Sequence, residues 1–135
     1  MFKLIKITNS GVNVPEFVTL EKPSSLTVKP GAALVIRSGA AAFCNEDETP
    51  THISAEVIRP DSDTVLCYEV NENMYFEVPL SSTPEELNVG DMVSIAYDAD
   101  ECPMLVSPTV DSGTATVVEL NGASEQGDKI TVKFK

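Results

Sequence analysis

Hydrophobic and polar residues alternate along most of this chain. In residues 129–135, Ile130, Val132 and Phe134 fall on one side of an extended backbone, and Lys129, Thr131, Lys133 and Lys135 on the other. Successive strand side chains face opposite sides of a sheet, so this pattern predicts a half-buried strand with a basic outer row. Residues 114–120 are rich in β-branched side chains, which suit a pleated, packed surface. Asn121-Gly122 and Gly127-Asp128 between them tolerate positive φ. A terminal β-hairpin with a loop of about six to eight residues is predicted. Residues 1–8 alternate as well, with Phe2, Leu4 and Lys6 set against Lys3, Ile5 and Ile7.

The same grammar runs through the middle of the chain. Residues 14–20 hold Pro15, which cannot donate to a central ladder, so they read as an edge strand or an extended arm. A Pro30-Gly31 turn opens an apolar strand at 32–36, and Arg37-Ser38-Gly39 turns it into the small residues 40–44. Residues 53–58 form a strand that ends at Arg59-Pro60-Asp61. Residues 65–70 and 74–80, joined by Asn71-Glu72-Asn73, read as a short hairpin. In its second member Met74, Phe76, Val78 and Leu80 share one face, and Tyr75 and Glu77 share the other. Thr83-Pro84-Glu85-Glu86 carries helix-start chemistry, with Thr83 as cap, but Gly90 limits it to a single turn. Strands at 92–97 and 104–106 follow. An internal echo links Leu26-x-Val28 and Gly31 to Leu87-x-Val89 and Gly90, each followed by a strand ending in isoleucine. It reads either as a duplicated unit or as ordinary β grammar.

The predicted fold is therefore all-β: a single small β-barrel or β-sandwich of short antiparallel strands. It carries at most one short helical turn near 83–88 and an extended N-terminal arm. Residues 1–20 are the N-terminal strand or docking arm, and residues 21–135 are one β domain.

At 135 residues the chain is long enough to bury about two-thirds of the surface its unfolded state exposes, so it needs neither disulfide nor metal to fold. Charge changes the picture more. Nine basic against 21 acidic residues give a net charge of −12, which repels phosphate backbones and anionic membranes. No nucleic-acid and no membrane partner is expected. Lys3 and Lys6 at one end and Lys129, Lys133 and Lys135 at the other form the candidate basic patch. The opening residues lack the apolar run of a signal peptide, so synthesis in the cytoplasm is expected.

Candidate chemistry is sparse. Cys44, Cys67 and Cys102 are far apart, and with a single histidine they read as buried free thiols rather than a zinc site. His52 has no serine in a nucleophile setting and reads as a surface or strand-edge residue. The acidic loops Glu46-Asp47-Glu48 and Asp98-Ala99-Asp100-Glu101 offer oxygens but lack calcium-loop spacing. No catalytic residue, no metal site and no cofactor is assigned, and no enzymatic activity is expected.

Three phrases carry a resemblance: Thr51-His52-Ile53-Ser54-Ala55, Phe76-Glu77-Val78-Pro79-Leu80, and Gly127-Asp128-Lys129-Ile130-Thr131-Val132-Lys133-Phe134. With the glycine turn before residues 32–36, the chain from about residue 29 to its end resembles the small acidic head decoration, or capsid cement, proteins of tailed bacteriophages and prophages. The opening residues are similar more loosely. The resemblance implies a non-enzymatic virion protein on the outer surface of an icosahedral capsid. It implies the major capsid protein as partner and self-association as a trimer or cluster. A strand edge binds by adding to a neighbouring sheet, so Phe2, Lys3, Leu4, Ile5, Lys6 and Ile7 are the candidate contact residues, with Lys133 and Lys135 as a competing basic row. The alternatives are a secreted or cell-surface β-sandwich recognition module, another phage structural protein of the head–tail or tail region, and a metal-assisted enzyme built on the acidic loops.

Overall fold

The computed structural model describes residues 1–8, 17–55, 62–108 and 113–134. These residues form two antiparallel sheets and no helix. The six-stranded sheet contains β1 (Lys3–Ile7), β7 (Met74–Pro79), β8 (Met92–Tyr97), β9 (Pro103–Ser107), β10 (Ala115–Glu119) and β11 (Lys129–Phe134), in the order β1-β7-β11-β10-β8-β9. The five-stranded sheet contains β2 (Phe17–Glu21), β3 (Ala33–Arg37), β4 (Ala40–Phe43), β5 (His52–Ser54) and β6 (Thr64–Glu69), in the order β2-β6-β5-β3-β4.

Both sheets curl. Leu80, just past β7, makes a parallel bridge to Val106 of β9, and Ser81 N donates to Val106 O at 2.8 Å. This brings the far edge of the six-stranded sheet back towards its second strand. In the five-stranded sheet the edge strands β2 and β4 approach one another. Curling of this kind hides sheet edges and creates an interior.

Two apolar cores result. The larger lies between the sheets and joins Phe2, Phe76, Val78, Ile95, Ile130, Val132 and Phe134 to Ala33, Val35 and Ile53. The smaller fills the inside of the five-stranded sheet with Val28, Leu34, Ala41, Val65, Cys67 and Cys102. Alternation sends Ala33 and Val35 to one core and Leu34 to the other. The first three residues of β3 are thus covered on both faces, which is why the strand opens with a run of apolar residues.

Several expectations are corrected. β6 and β7 are not a hairpin, although they are neighbours in sequence. Val70 N donates to Thr51 O at 2.9 Å and keeps the end of β6 with the five-stranded sheet. Three residues later Asn73 O accepts from Thr8 N at 2.8 Å beside β1. The chain changes sheets here: Val65 and Cys67 of β6 are buried in the smaller core, whereas Met74, Phe76 and Val78 of β7 are buried in the larger one. The helical turn at 83–88 does not form; the segment is irregular, with a bend at 85–86. The Thr83 hydroxyl accepts the Gln126 amide at 3.3 Å instead of capping a helix, and Leu87 packs on the larger core. The loop of the closing hairpin is longer than predicted and occupies residues 120–128, with Asn121, Gly122 and Gly127 at positive φ as their residue types allow. Strand β5 is shorter than read from sequence, and residues 56–61 lie outside the described ones. The two halves of the internal echo do correspond in place: β3–β4 and β8–β9 each follow a glycine turn and each lie at one end of their sheet.

Candidate functional site

The N-terminal strand is held by a turn built around Ser54. Ser54 is 1% exposed; its hydroxyl donates to Lys29 O and accepts the Ala32 amide at 2.9 Å. Its backbone closes the same turn, accepting from Gly31 N at 2.8 Å and donating to Ala32 O at 3.0 Å. Gly31 O then accepts the Phe2 amide at 2.9 Å. Gly31 has φ +78°, and a Cβ there would stand 2.5 Å from Met1 Cβ and 3.0 Å from Phe2 N. Only glycine gives both the left-handed backbone and the close approach. The phrase Thr51–Ala55 is thus the frame that seats β1.

On that frame the described residues among the first twenty are woven into the sheets rather than held out as an arm: β1 pairs with β7 and β2 with β6. Residues 9–16 lie outside the described ones. A β-bulge between Leu4 and Lys6 resets the alternation. Phe2 and Leu4 face the core, the phase slips by one residue, and Ile7 faces the core as well, leaving Ile5 46% exposed. Phe2 is 1% exposed, so it holds the strand in place and offers no surface to a partner. Leu4 and Ile7 are half-buried against the core. Lys3, Ile5 and Lys6 are exposed. Among the described residues no strand pairs with the outer edge of β1. Beside that edge runs a groove of about 230 Å³ lined by Met1, Lys3, Leu4, Gly31, Ala55 and Tyr68. Half-exposed Phe17 stacks on Tyr68 with ring centroids 5.1 Å apart.

β7 brings together the two basic segments that lie at opposite ends of the sequence. Lys3 pairs with Glu77, Lys6 with Tyr75, Thr131 with Glu77 and Lys129 with Pro79. Directly paired residues share a face, so Lys3, Lys6, Lys129 and Lys133 all stand on the solvent side of β1-β7-β11. Lys6 Nζ sits 5.8 Å from the Tyr75 ring centroid, and Lys129 Nζ is 3.8 Å from Glu77 Oε1. Next to Glu77 and Lys129 the loop of the closing hairpin forms the wall of an open depression of about 480 Å³, with Asn121, Ala123 and Asp128 in its lining. Asn121 Nδ2 donates to Thr131 Oγ1 at 3.0 Å and ties that wall to β11. Lys135 lies outside the described residues. The sequence placed Tyr75 and Glu77 on the polar face of their strand but carried no sign that β1 and β11 would flank them.

The acidic loops are internally committed. Asp98 accepts the amides of Asp100 and Cys102, both at 2.9 Å, and Lys29 Nζ at 2.9 Å. Partial burial pushes its pKa up, but Lys29 and the two amides outweigh that and leave it below the ordinary value. Glu48 is lowered by the Arg37 guanidinium and the Asn45 amide. Among the described residues no group of three histidine, cysteine or acidic side chains converges to hold a metal. The three thiols are buried. Desolvation pushes Cys44 up to about 12, far from the range of a reactive thiolate.

His52 is neither at the surface nor at an edge. It begins β5, the middle strand of its sheet, is 7% exposed, and has Nδ1 2.8 Å from Thr51 Oγ1. Burial holds its pKa below the ordinary 6.5, with Glu69 opposing the shift more weakly. A lowered histidine pKa means that the unfolded state takes up the proton first, so stability falls as pH drops through 6.5 and levels off below the folded pKa. Urea midpoints are expected to decline between about pH 7 and 5, and His52→Gln to abolish that decline. A second decline belongs to Glu48, Asp98 and Asp128. Their pKa values are lowered in the fold, so their contribution is lost as pH falls below their unfolded values of 4.5, 3.8 and 3.8. An unchanged slope between pH 7 and 5 in the variant would rule out His52 as its origin.

No protein-family model matches the sequence, and no curated protein matches it. Among solved structures, the fold is similar to that of the head fibre gp8.5 N base of bacteriophage phi29. That match has a TM-score of 0.56 and 16% sequence identity, and spans 89% of this chain and 95% of that one. At that identity the likeness is one of fold.

Proposed function

We propose that this protein is a non-enzymatic structural component of tailed-phage heads that decorates the outer surface of the capsid. The observation that carries this reading is the fold shared with a head fibre base over nearly the full length of both chains. The decoration-protein grammar of the sequence points the same way on independent grounds. The major capsid protein is the partner, and bound copies associate as a trimer or cluster around a local symmetry axis. Net charge −12 keeps unbound copies apart at high concentration before they meet the shell. Each copy bridges neighbouring capsid subunits, so many modest interfaces add up along the shell.

The reading is tested with capsids assembled from the major capsid protein of the phage or prophage that encodes this chain. Purified protein is expected to co-sediment with them to saturation and to raise the temperature at which they disrupt. Protein that stays in the supernatant at all concentrations would rule the role out. A second reading, the base of a fibre, is favoured by the likeness being to the N base of a head fibre. Electron microscopy of decorated capsids separates the two: decoration leaves compact knobs, whereas a fibre base carries a projecting stalk.

A further inference from the structure

We infer that the lysine-bearing face of β1-β7-β11 binds an acidic protein surface. Lys3, Lys6, Lys129 and Lys133 are four of the nine basic residues in the chain, gathered on one sheet face. Two strand spacings separate the β1 row from the β11 row, about 10 Å, which is close to the Debye length at ordinary salt. Lysines that face one another across β7 therefore reinforce each other's potential. Elsewhere Lys29 is tied to Asp98 and Asp100, and Arg37 to Glu48. On a protein of net charge −12, this face is where positive potential is segregated.

Its composition selects a protein over a nucleic acid. Glu77 stands between the two lysine rows, opposite Lys3 and within 3.8 Å of Lys129 Nζ, and Glu119 of β10 borders the patch. A continuous row of phosphates would meet the Glu77 carboxylate, whereas a protein surface of mixed chemistry accommodates it. Tyr75 under Lys6 and exposed Ile5 supply apolar area of the kind that protein interfaces bury. A second copy of this chain fits less well, because two bodies of charge −12 repel at long range.

This inference deepens the proposed docking role and rests on it for the natural partner, but its chemistry is testable separately. Isotope-labelled protein is titrated with poly-L-glutamate and, in parallel, with a short DNA duplex. Poly-L-glutamate is expected to shift amide resonances of β1, β7 and β11. The combined variant K3Q/K6Q/K129Q/K133Q should weaken that binding by about tenfold or more. Glu77→Gln keeps all four lysines and is expected to strengthen it. Shifts scattered elsewhere, no shifts at low salt, or equal affinity for DNA would overturn the inference. Sedimentation velocity that finds wild-type oligomers lost in the quadruple variant would overturn it in favour of a second copy as occupant. In the capsid assay, wild-type protein that fails to bind defeats the decoration role while the poly-L-glutamate result still decides the face. Equal capsid binding by wild type and quadruple variant defeats the face as the dock and leaves the decoration role standing.

Discussion

Phe76→Ala is expected to lower stability by about 3–5 kcal/mol, the range for removing a fully buried aromatic ring. Phe76 is 0% exposed and pairs with Leu4 on one side and Val132 on the other. Its ring lies 6.5 Å from that of Phe2, edge to face, and 5.4 Å from that of Phe134. These three rings join the first strand, the last strand and the strand between them. Truncation leaves a cavity where the N-terminal strand meets the closing hairpin across β7. The melting temperature should fall by about 10–20 °C for a domain of this size. Hydrogen exchange should show the β1 amides losing protection before those of β8 and β9. Val89→Ala, at a side chain 63% exposed, is the control and should move stability by no more than about 0.5 kcal/mol. A loss under about 1 kcal/mol for Phe76→Ala would mean that the three-ring cluster is not the anchor described.

Gly113→Ala should cost a similar amount by the opposite route. A Cβ at Gly113 would lie 2.3 Å from Val93 N, 2.5 Å from Met92 C and 2.6 Å from Val93 O. All three are backbone atoms of β8, so no side chain can swing away. The adjacent Thr114 N donates to Val93 O at 3.0 Å, which fixes the spacing that the methyl group would violate. Overpacking of this kind costs about 1–3 kcal/mol where neighbours can move, and more where they are backbone. Loss of about 3 kcal/mol or more, read from urea unfolding, is expected, together with exposure of the β8–β10 amides. Gly39→Ala meets nothing within 4 Å and separates the steric cost from the backbone one, because its φ of +79° is the only obstacle there. Equal losses at the two positions would show that steric crowding at Gly113 is relieved by movement of β8.

The strands themselves were legible, and the reason is local. Period-two alternation in Lys129–Phe134 and Met74–Pro79 follows from the pleat, and each assigns its own core face without reference to any neighbour. The glycine turns before β3 and β8 were legible for the same reason, since a left-handed residue is a property of one position. The misreadings share a different cause. Asn71–Asn73 has hairpin chemistry, but whether β6 and β7 pair depends on which core each strand fills. Thr83-Pro84-Glu85-Glu86 has helix-start chemistry, but Leu87 is drawn onto the core and Thr83 is taken by Gln126. His52 looked peripheral because it stands beside Pro50 at the entry to a strand, yet β3 and β6 enclose that strand on both sides.

The candidate surface divides along the same line. By itself the sequence determined an all-β chain of strong acidity, with five of its seven lysines near its two ends and an apolar row in each terminal strand, because charge and alternation are written residue by residue. Tertiary structure alone decided that the two ends are neighbours. β1 and β11 pair on opposite sides of β7, an arrangement set by which side chains fill a shared core across more than a hundred residues of intervening chain. Two short basic segments that looked like rival contact sites are in consequence one face, with Glu77 and Tyr75 at its centre.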